Sequence, residues 1–136
     1  MKIKGRIVEG LGEGRRFTRI PWVRAQCMSK LAIDPFPGTL NLEISDPADL
    51  ERFEQLKRGE GVVIQPEDPS FCCGKCYPVL IGGRLKGAIV VPVVENYAED
   101  KMELITAQDA KEALSVKTGD VLEVELLTPS PSREAS

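Results

Sequence analysis

Hydrophobic and polar residues alternate over several short stretches of this chain, which is the pattern of β-strands that bury one face. The clearest stretch is 38–44, where leucine and isoleucine alternate with the polar residues Thr39, Asn41 and Glu43. Further strands are predicted at 2–9, 62–64, 71–81, 84–92, 101–105 and 121–127. A pair of glycines at 82–83 separates two of these stretches and predicts a hairpin between them.

Three helices are predicted in the connections between the strands. The first covers 21–32, where a proline opens the segment and hydrophobic residues recur every four positions. The second covers 47–58, with Asp46 as its N-cap. The third begins with Thr106 as its N-cap and ends at Leu114.

The hairpin pattern predicts antiparallel pairing and therefore a mainly β, compact barrel with short helical insertions. With 136 residues, the chain has the length of one domain. We expect the barrel to occupy residues 1–127 and the polar segment 128–136 to be disordered.

Charge and hydropathy exclude several function classes. The chain has 18 basic and 21 acidic residues, and its net charge of −3 argues against a nucleic-acid-binding protein. No apolar run approaches the ~18 residues of a membrane span, and the N-terminus lacks the apolar stretch of a signal peptide. We therefore expect a cytoplasmic monomer with no nucleic-acid or membrane partner.

Histidine is absent from the sequence. This excludes Ser-His and Cys-His catalytic arrangements, imidazole bases and histidine-ligated zinc. Chemistry in this protein must use carboxylates, hydroxyls, amides, Lys, Arg or a metal held by oxygen.

Three of the four cysteines, Cys72, Cys73 and Cys76, lie close together, and Cys27 lies in the first predicted helix. The spacing of Cys73 and Cys76 suits zinc, but a closed structural site needs four ligands and no second such pair exists. We predict buried or half-buried free thiols and no metal at these residues.

Glycines alternate with other residues over 10–14, and Arg15 and Arg16 follow directly. Such a loop can turn backbone N–H groups toward an anion, and an arginine can add charge-assisted bonds. The spacing is that of neither a P-loop nor a dinucleotide-binding fingerprint. A phosphate site and a flexible hairpin loop remain equally good interpretations.

Thr39 and Asn41 lie two residues apart on a predicted strand, so their side chains share one face. A hydroxyl and an amide carbonyl are hard oxygen donors that Mg²⁺ accepts alongside phosphates and waters. From these residues alone, a solvent-facing polar pair is favoured and a magnesium site is the alternative. Glu43 on the same face has the same two interpretations.

Glu103 lies between Met102 and Leu104 on another predicted strand, where its carboxylate is expected to be partly buried. In a chain without histidine, such a residue is the natural candidate to orient or deprotonate a hydroxyl.

Four blocks together resemble the archaeal CTP-dependent riboflavin kinases. They are GLGEGR at 10–15, GTLNL at 38–42, GAIVVP at 87–92 and GDV at 119–121. They occur in the family's order at compatible spacings and extend the resemblance over residues 5–126. The resemblance implies a six-stranded cradle-loop barrel of Greek-key type. It also implies phosphorylation of riboflavin to FMN with CTP as the donor and Mg²⁺ as cofactor.

The resemblance also implies roles for individual residues. It assigns nucleotide binding to Gly10, Leu11, Gly12, Glu13, Gly14, Arg15, Gln108, Asp109, Ala110 and Lys111. It assigns Mg²⁺ binding to Thr39 and Asn41, against the interpretation favoured by the residues alone. It assigns flavin binding to Glu95 and Glu103. A carboxylate at the ribityl end of the flavin can orient the hydroxyl and accept its proton, so we expect Glu103 to be the catalytic residue.

One position departs from the family pattern. Where the family places a threonine near the FMN phosphate, the gapless match in this chain is Glu95. A carboxylate there would repel phosphate unless it points away or the loop shifts by one residue to present Asn96. This departure keeps open an alternative, a non-catalytic flavin- or nucleotide-binding barrel module.

Overall fold

The computed structural model describes residues 1–10, 18–67, 74–92 and 98–127, and this part of the chain is mainly β. Its strands are β1 (Lys2–Val8), β2 (Leu40–Glu43), β3 (Val62–Ile64), β4 (Gly74–Ile81), β5 (Leu85–Pro92), β6 (Lys101–Thr106) and β7 (Val121–Leu126). Its helices are α1 (Pro21–Gln26), which continues as a π-helix (Cys27–Leu31), α2 (Pro47–Arg58) and α3 (Ala110–Leu114). No helix among these residues is long and apolar enough to cross a membrane.

Six of the strands close into an antiparallel barrel in the order β4-β5-β6-β2-β1-β7. The ring closes because one half of β4 also pairs with β7, from Val79 opposite Leu126 to Ile81 opposite Val124. The other half of β4 pairs with β3, where Val62 lies opposite Cys76. The predicted mainly β, six-stranded barrel with short helical insertions is confirmed.

The start of α2 follows the sequence prediction. The side chain of Asp46 accepts hydrogen bonds from the backbone N–H groups of Ala48 at 2.8 Å and Asp49 at 3.4 Å. These bonds satisfy two of the N–H groups that a helix leaves without partners in its first turn.

The predicted N-cap of the third helix is wrong. Thr106 is the last residue of β6, where it pairs with Gly87 of β5, and its hydroxyl donates to the carbonyl of Gln108. Asp109 caps α3 instead, with its carboxylate accepting from the N–H of Glu112 at 3.4 Å. Thr106 therefore belongs to the sheet, and the helix begins later than predicted.

The first predicted helix changes character after Gln26. The N–H of Ala32 donates to the carbonyl of Cys27 five residues earlier, which is the π-helical bond. From this segment the side-chain amide of Gln26 bonds both the N–H and the carbonyl of Gln65, at 2.7 and 2.8 Å. The Lys30 ammonium donates to the carbonyl of Val63 at 2.7 Å. These bonds cover the outer edge of β3, which would otherwise offer unpaired backbone groups.

Buried hydrophobic residues form two clusters, one inside the barrel and one outside it. Because successive side chains point to opposite faces of a strand, Ile89 and Leu104 fill the interior while Val90 and Ile105 face outward. The outer cluster lies between the barrel wall and the first helix, and its members are Val23, Cys27, Ile33, Ile64, Cys76, Ala88, Val90 and Ile105.

Cys27 and Cys76 are buried free thiols in this outer cluster. Burial raises the pKa of Cys27 to about 11 and, with the nearby Cys27 thiol as a second cause, the pKa of Cys76 to about 12. The two thiols therefore stay protonated and unreactive at neutral pH. The prediction of buried thiols is confirmed for these two residues, while Cys72 and Cys73 lie outside the described ranges.

Gly87 lies where β5 and β6 approach each other closely. A Cβ at this position would lie 2.6 Å from the carbonyl oxygen of Ile105 and 2.9 Å from Cδ1 of Ile81. Replacing Gly87 with alanine is expected to destabilise the fold by about 1–3 kcal/mol, because backbone and core would have to separate. Denaturant unfolding measures the difference.

The matched control is Gly74→Ala in β4. There the nearest atom to an added Cβ is Cγ1 of Val90 at 3.8 Å, an ordinary contact distance. This variant should be neutral or slightly stabilising because alanine restricts the unfolded chain. Equal unfolding midpoints for the two variants would contradict the close approach at Gly87.

Candidate functional site

Asn41 of β2 lies directly opposite Glu103 of β6. Directly opposed residues on antiparallel strands have Cβ atoms about 4.5–5.5 Å apart and point to the same face. Both residues are half-buried. Two side chains that are separated by a long stretch of sequence thus form one polar pair on the barrel wall.

This pair lies on the outer face of the barrel. Leu42 and Leu104, the next residues along the two strands, are buried in the interior, so Asn41 and Glu103 point the other way. Glu103 is also opposite Val90 of β5, a member of the outer hydrophobic cluster. The site therefore has an apolar flank on the β5 side.

A charged pair borders the site on the same face. Glu43 lies two residues after Asn41, and its carboxylate accepts from the Lys101 ammonium at 3.1 Å. Of the two interpretations of Glu43, the structure favours the surface one, because its carboxylate is in an ion pair with Lys101. Sequence reasoning did not identify Lys101, whose partner lies 58 residues away.

Gly10 packs directly against the side chain of Asn41. A Cβ on Gly10 would lie 3.0 Å from Cγ of Asn41 and closer still to its Nδ2. A larger residue would therefore displace the amide. The first residue of the glycine-rich segment and the Asn41–Glu103 pair belong to one site.

The orientation of the Asn41 amide suits a cation. Its Nδ2 donates to the backbone carbonyl of Thr39 at 3.2 Å, which turns the other end of the amide, Oδ1, away from that carbonyl. Thr39 is half-buried and directly precedes β2. Amide and hydroxyl oxygens are hard donors that fit Mg²⁺.

Charged side chains do not form a complete metal site in the described part of the chain. No group of three or more His, Cys, Asp or Glu side chains there is placed to hold a metal ion. A Mg²⁺ ion at Thr39 and Asn41 would therefore depend on neutral oxygens together with phosphates and waters. Mg²⁺ beside nucleotides usually keeps several waters and binds oxygens of the substrate phosphates, so few protein ligands are needed.

The second segment predicted to bind the nucleotide, 108–111, follows β6. Gln108 and Asp109 are exposed, and Asp109 is occupied as the cap of α3. Ala110 is buried in the core, so its side chain faces away from any ligand. Lys111 supplies the one cationic side chain of the segment.

Lys111 joins this segment to the end of β1. Its ammonium lies 3.1 Å from Oγ1 of Thr118 and 3.5 Å from the carboxylate of Glu9, which directly precedes Gly10. The structure thus brings Gly10, the first residue of one predicted nucleotide segment, and the segment 108–111 to one end of the barrel. Sequence reasoning did not identify Glu9 and Thr118, and no local spacing could have done so because they are 109 residues apart.

Some predicted site residues lie outside the described ranges. These are Leu11, Gly12, Glu13, Gly14, Arg15 and Glu95, together with Asn96. Their assigned roles stay predictions.

Comparison with known proteins identifies the family. Residues 7–126 match the family model labelled CTP-dep_RFKase, whose description is "Domain of unknown function DUF120". The chain belongs to this family of CTP-dependent riboflavin kinase domains. The resemblance inferred from the sequence blocks is therefore confirmed.

Several curated relatives carry the name riboflavin kinase. Those of Methanosarcina barkeri and Archaeoglobus fulgidus are each 37% identical, over 130 and 131 residues that cover 93% of this chain. The match covers 56% and 55% of those proteins, so the chain spans about half their length. The protein of Sulfurisphaera tokodaii is 34% identical over 129 residues, which are 93% of this chain and 95% of that protein.

Proposed function

We propose that this chain is a riboflavin kinase that transfers the γ-phosphate of CTP to the 5′-hydroxyl of the ribityl chain of riboflavin. The products are FMN and CDP. A bond forms between the ribityl oxygen and the γ-phosphorus, and the bond from that phosphorus to the bridging β,γ-oxygen breaks. Family membership supports the reaction class, and the Asn41–Glu103 pair beside Gly10 is the observation that carries the proposal.

Phosphoryl transfer demands alignment and charge neutralisation more than covalent chemistry from the protein. Mg²⁺ held at Thr39 and Asn41 would supply charge neutralisation for the nucleotide phosphates. The backbone N–H groups that begin at Gly10 would hold the phosphates, and Lys111 would add a positive charge from the other segment.

Glu103 would orient the reacting hydroxyl. Its carboxylate lies on the same face as Asn41, so an alcohol bonded to Glu103 would stand next to phosphates bound at Asn41. The carboxylate would accept the proton that the hydroxyl loses. The apolar flank formed by Val90 and the outer cluster would pack against nonpolar parts of the flavin.

The test is direct. The purified protein is incubated with riboflavin, Mg²⁺ and either CTP or ATP, and FMN is separated from riboflavin by chromatography with fluorescence detection. We expect FMN with CTP and little with ATP. An Asn41→Ala preparation made in the same way controls for a contaminating host kinase.

Other outcomes would contradict parts of the proposal. FMN formed with ATP alone would support the riboflavin kinase activity but contradict CTP as the phosphate donor. No FMN from either nucleotide, in a protein that still quenches riboflavin fluorescence on binding, would instead support the non-catalytic binding module.

A further inference from the structure

Three polar side chains from three separate segments meet where β1 ends. They are Glu9, Lys111 near the start of α3, and Thr118 in the turn before β7. The hydroxyl of Thr118 donates to the carboxylate of Glu9 at 2.6 Å. The ammonium of Lys111 donates to the same hydroxyl oxygen at 3.1 Å.

These hydrogen bonds run in one direction, from Lys111 through Thr118 to Glu9. A threonine hydroxyl has a single proton, and here Glu9 accepts it. The lone pairs of Oγ1 therefore face the Lys111 ammonium. Glu9 stays ionised, because the hydrogen bond from Thr118 and then the positive charge of Lys111 lower its pKa.

Lys111 keeps capacity for a ligand in this arrangement. An ammonium has three N–H donors. Thr118 accepts from one at 3.1 Å and the Glu9 carboxylate from another at 3.5 Å, which leaves one for a ligand. The side chain of Lys111 is 39% exposed. The ammonium is held in place and yet reachable from solvent.

Stability alone does not account for this cluster. The side chain of Glu9 is 76% exposed, and exposed ion pairs typically contribute little to the stability of a fold. The position of the cluster is more informative. Glu9 directly precedes Gly10, which packs against Asn41, so Lys111 is fixed at the base of the glycine-rich segment.

We propose that Thr118 is a positioning residue that holds the Lys111 ammonium where it meets the polyphosphate of the nucleotide. The inference rests on the proposed function, because it takes the nucleotide to bind at this end of the barrel. It adds a residue from the turn before β7 to the two nucleotide segments. Thr118 itself does not touch the nucleotide and acts through Lys111.

The experiment measures the CTP dissociation constant by calorimetry, without riboflavin, so that no turnover is needed. Thr118→Val keeps the shape of the side chain but removes the hydroxyl. We expect it to weaken CTP binding about 5- to 10-fold, the effect of one lost hydrogen bond of ordinary strength. Thr118→Ser keeps the hydroxyl and is expected to bind CTP like the unmodified protein.

A double-mutant cycle shows whether Thr118 acts through Lys111. In a Lys111→Met background, Thr118→Val should weaken CTP binding no further. An equal loss in both backgrounds, or an unchanged dissociation constant in Lys111→Met, would overturn the proposal. Glu123→Gln, which breaks the exposed pair with Lys2 at 3.7 Å on the β1–β7 surface, is the matched control and should leave CTP binding unchanged.

The outcomes also separate this inference from the proposed function. If the protein binds CTP but forms no FMN, the kinase proposal fails while the role of Thr118 is still decided by the binding data. If it forms FMN with CTP and the cycle shows no coupling, only the role of Thr118 is overturned. If CTP does not bind at all, both are overturned.

Discussion

Replacing Asn41 with alanine is expected to lower FMN formation at least about 100-fold at moderate Mg²⁺ concentration. Loss of residues that merely support a metal ligand typically costs about 10–100-fold, and Asn41 would be a ligand itself. The amide is held by its bond to the carbonyl of Thr39 and by its contact with Gly10, so its Oδ1 has a fixed position that alanine does not supply. Part of the activity should return as Mg²⁺ is raised.

The measurement is the rate of FMN formation against total Mg²⁺ at fixed CTP and riboflavin. Glu43→Gln is the matched control, because Glu43 lies on the same strand and face but its carboxylate pairs with Lys101. It should change the Mg²⁺ requirement little, since exposed ion pairs contribute weakly. The metal assignment would be contradicted if Asn41→Ala left the Mg²⁺ titration unchanged. It would also be contradicted if Glu43→Gln raised the Mg²⁺ concentration needed for activity as much as Asn41→Ala does. Thermal unfolding of both variants shows whether the barrel is intact.

Local patterns in the sequence predicted most of the strands because they depend on short-range physics. Alternation over 38–44 placed Asn41 on the polar face of a strand, and the structure confirms that position. The glycines at 82–83 both have positive φ, as a tight turn between β4 and β5 requires. Asp46 caps its helix as predicted because capping involves only neighbouring residues.

The structure predicted from the sequence was wrong where distant contacts decide the local structure. Thr106 has the sequence context of an N-cap, but pairing with Gly87 keeps it in the sheet. The four-residue periodicity over 21–32 predicts a regular helix and carries no sign of the π-helical turn. That turn accompanies the bonds from Gln26 and Lys30 to the backbone around β3, which lies 39 and 33 residues later in the chain.

In the candidate site too, local patterns predicted one part of the structure, and distant contacts decided the rest. The sequence could assign Asn41 and Glu103 to polar strand faces, but their pairing depends on the register between β2 and β6. A shift of one residue would have placed Glu103 opposite a different neighbour and on the opposite face from Asn41. The resemblance to a known family identified these residues before the register was known. It gave no indication of Thr118 or Glu9, whose contact joins the two ends of the barrel domain.

Replacing Glu103 with glutamine is expected to reduce kcat about 100-fold while the CTP dissociation constant stays nearly the same. A positioned carboxylate that orients and deprotonates a hydroxyl typically contributes about 10²–10⁴-fold to the rate. The lower end applies because a loose phosphoryl-transfer transition state demands little of a base. Glutamine has nearly the same size as glutamate, so the packing of Glu103 between Asn41 and Val90 should persist.

Steady-state kinetics of FMN formation gives kcat, and calorimetry gives the CTP dissociation constant. Glu123→Gln again provides the matched control, since it makes the same chemical change at a half-buried strand position away from Asn41. If kcat and CTP affinity fall by the same factor in Glu103→Gln, the carboxylate supports the structure of the nucleotide site. If kcat alone falls, Glu103 acts on the hydroxyl, because the flavin is the substrate that CTP binding does not require.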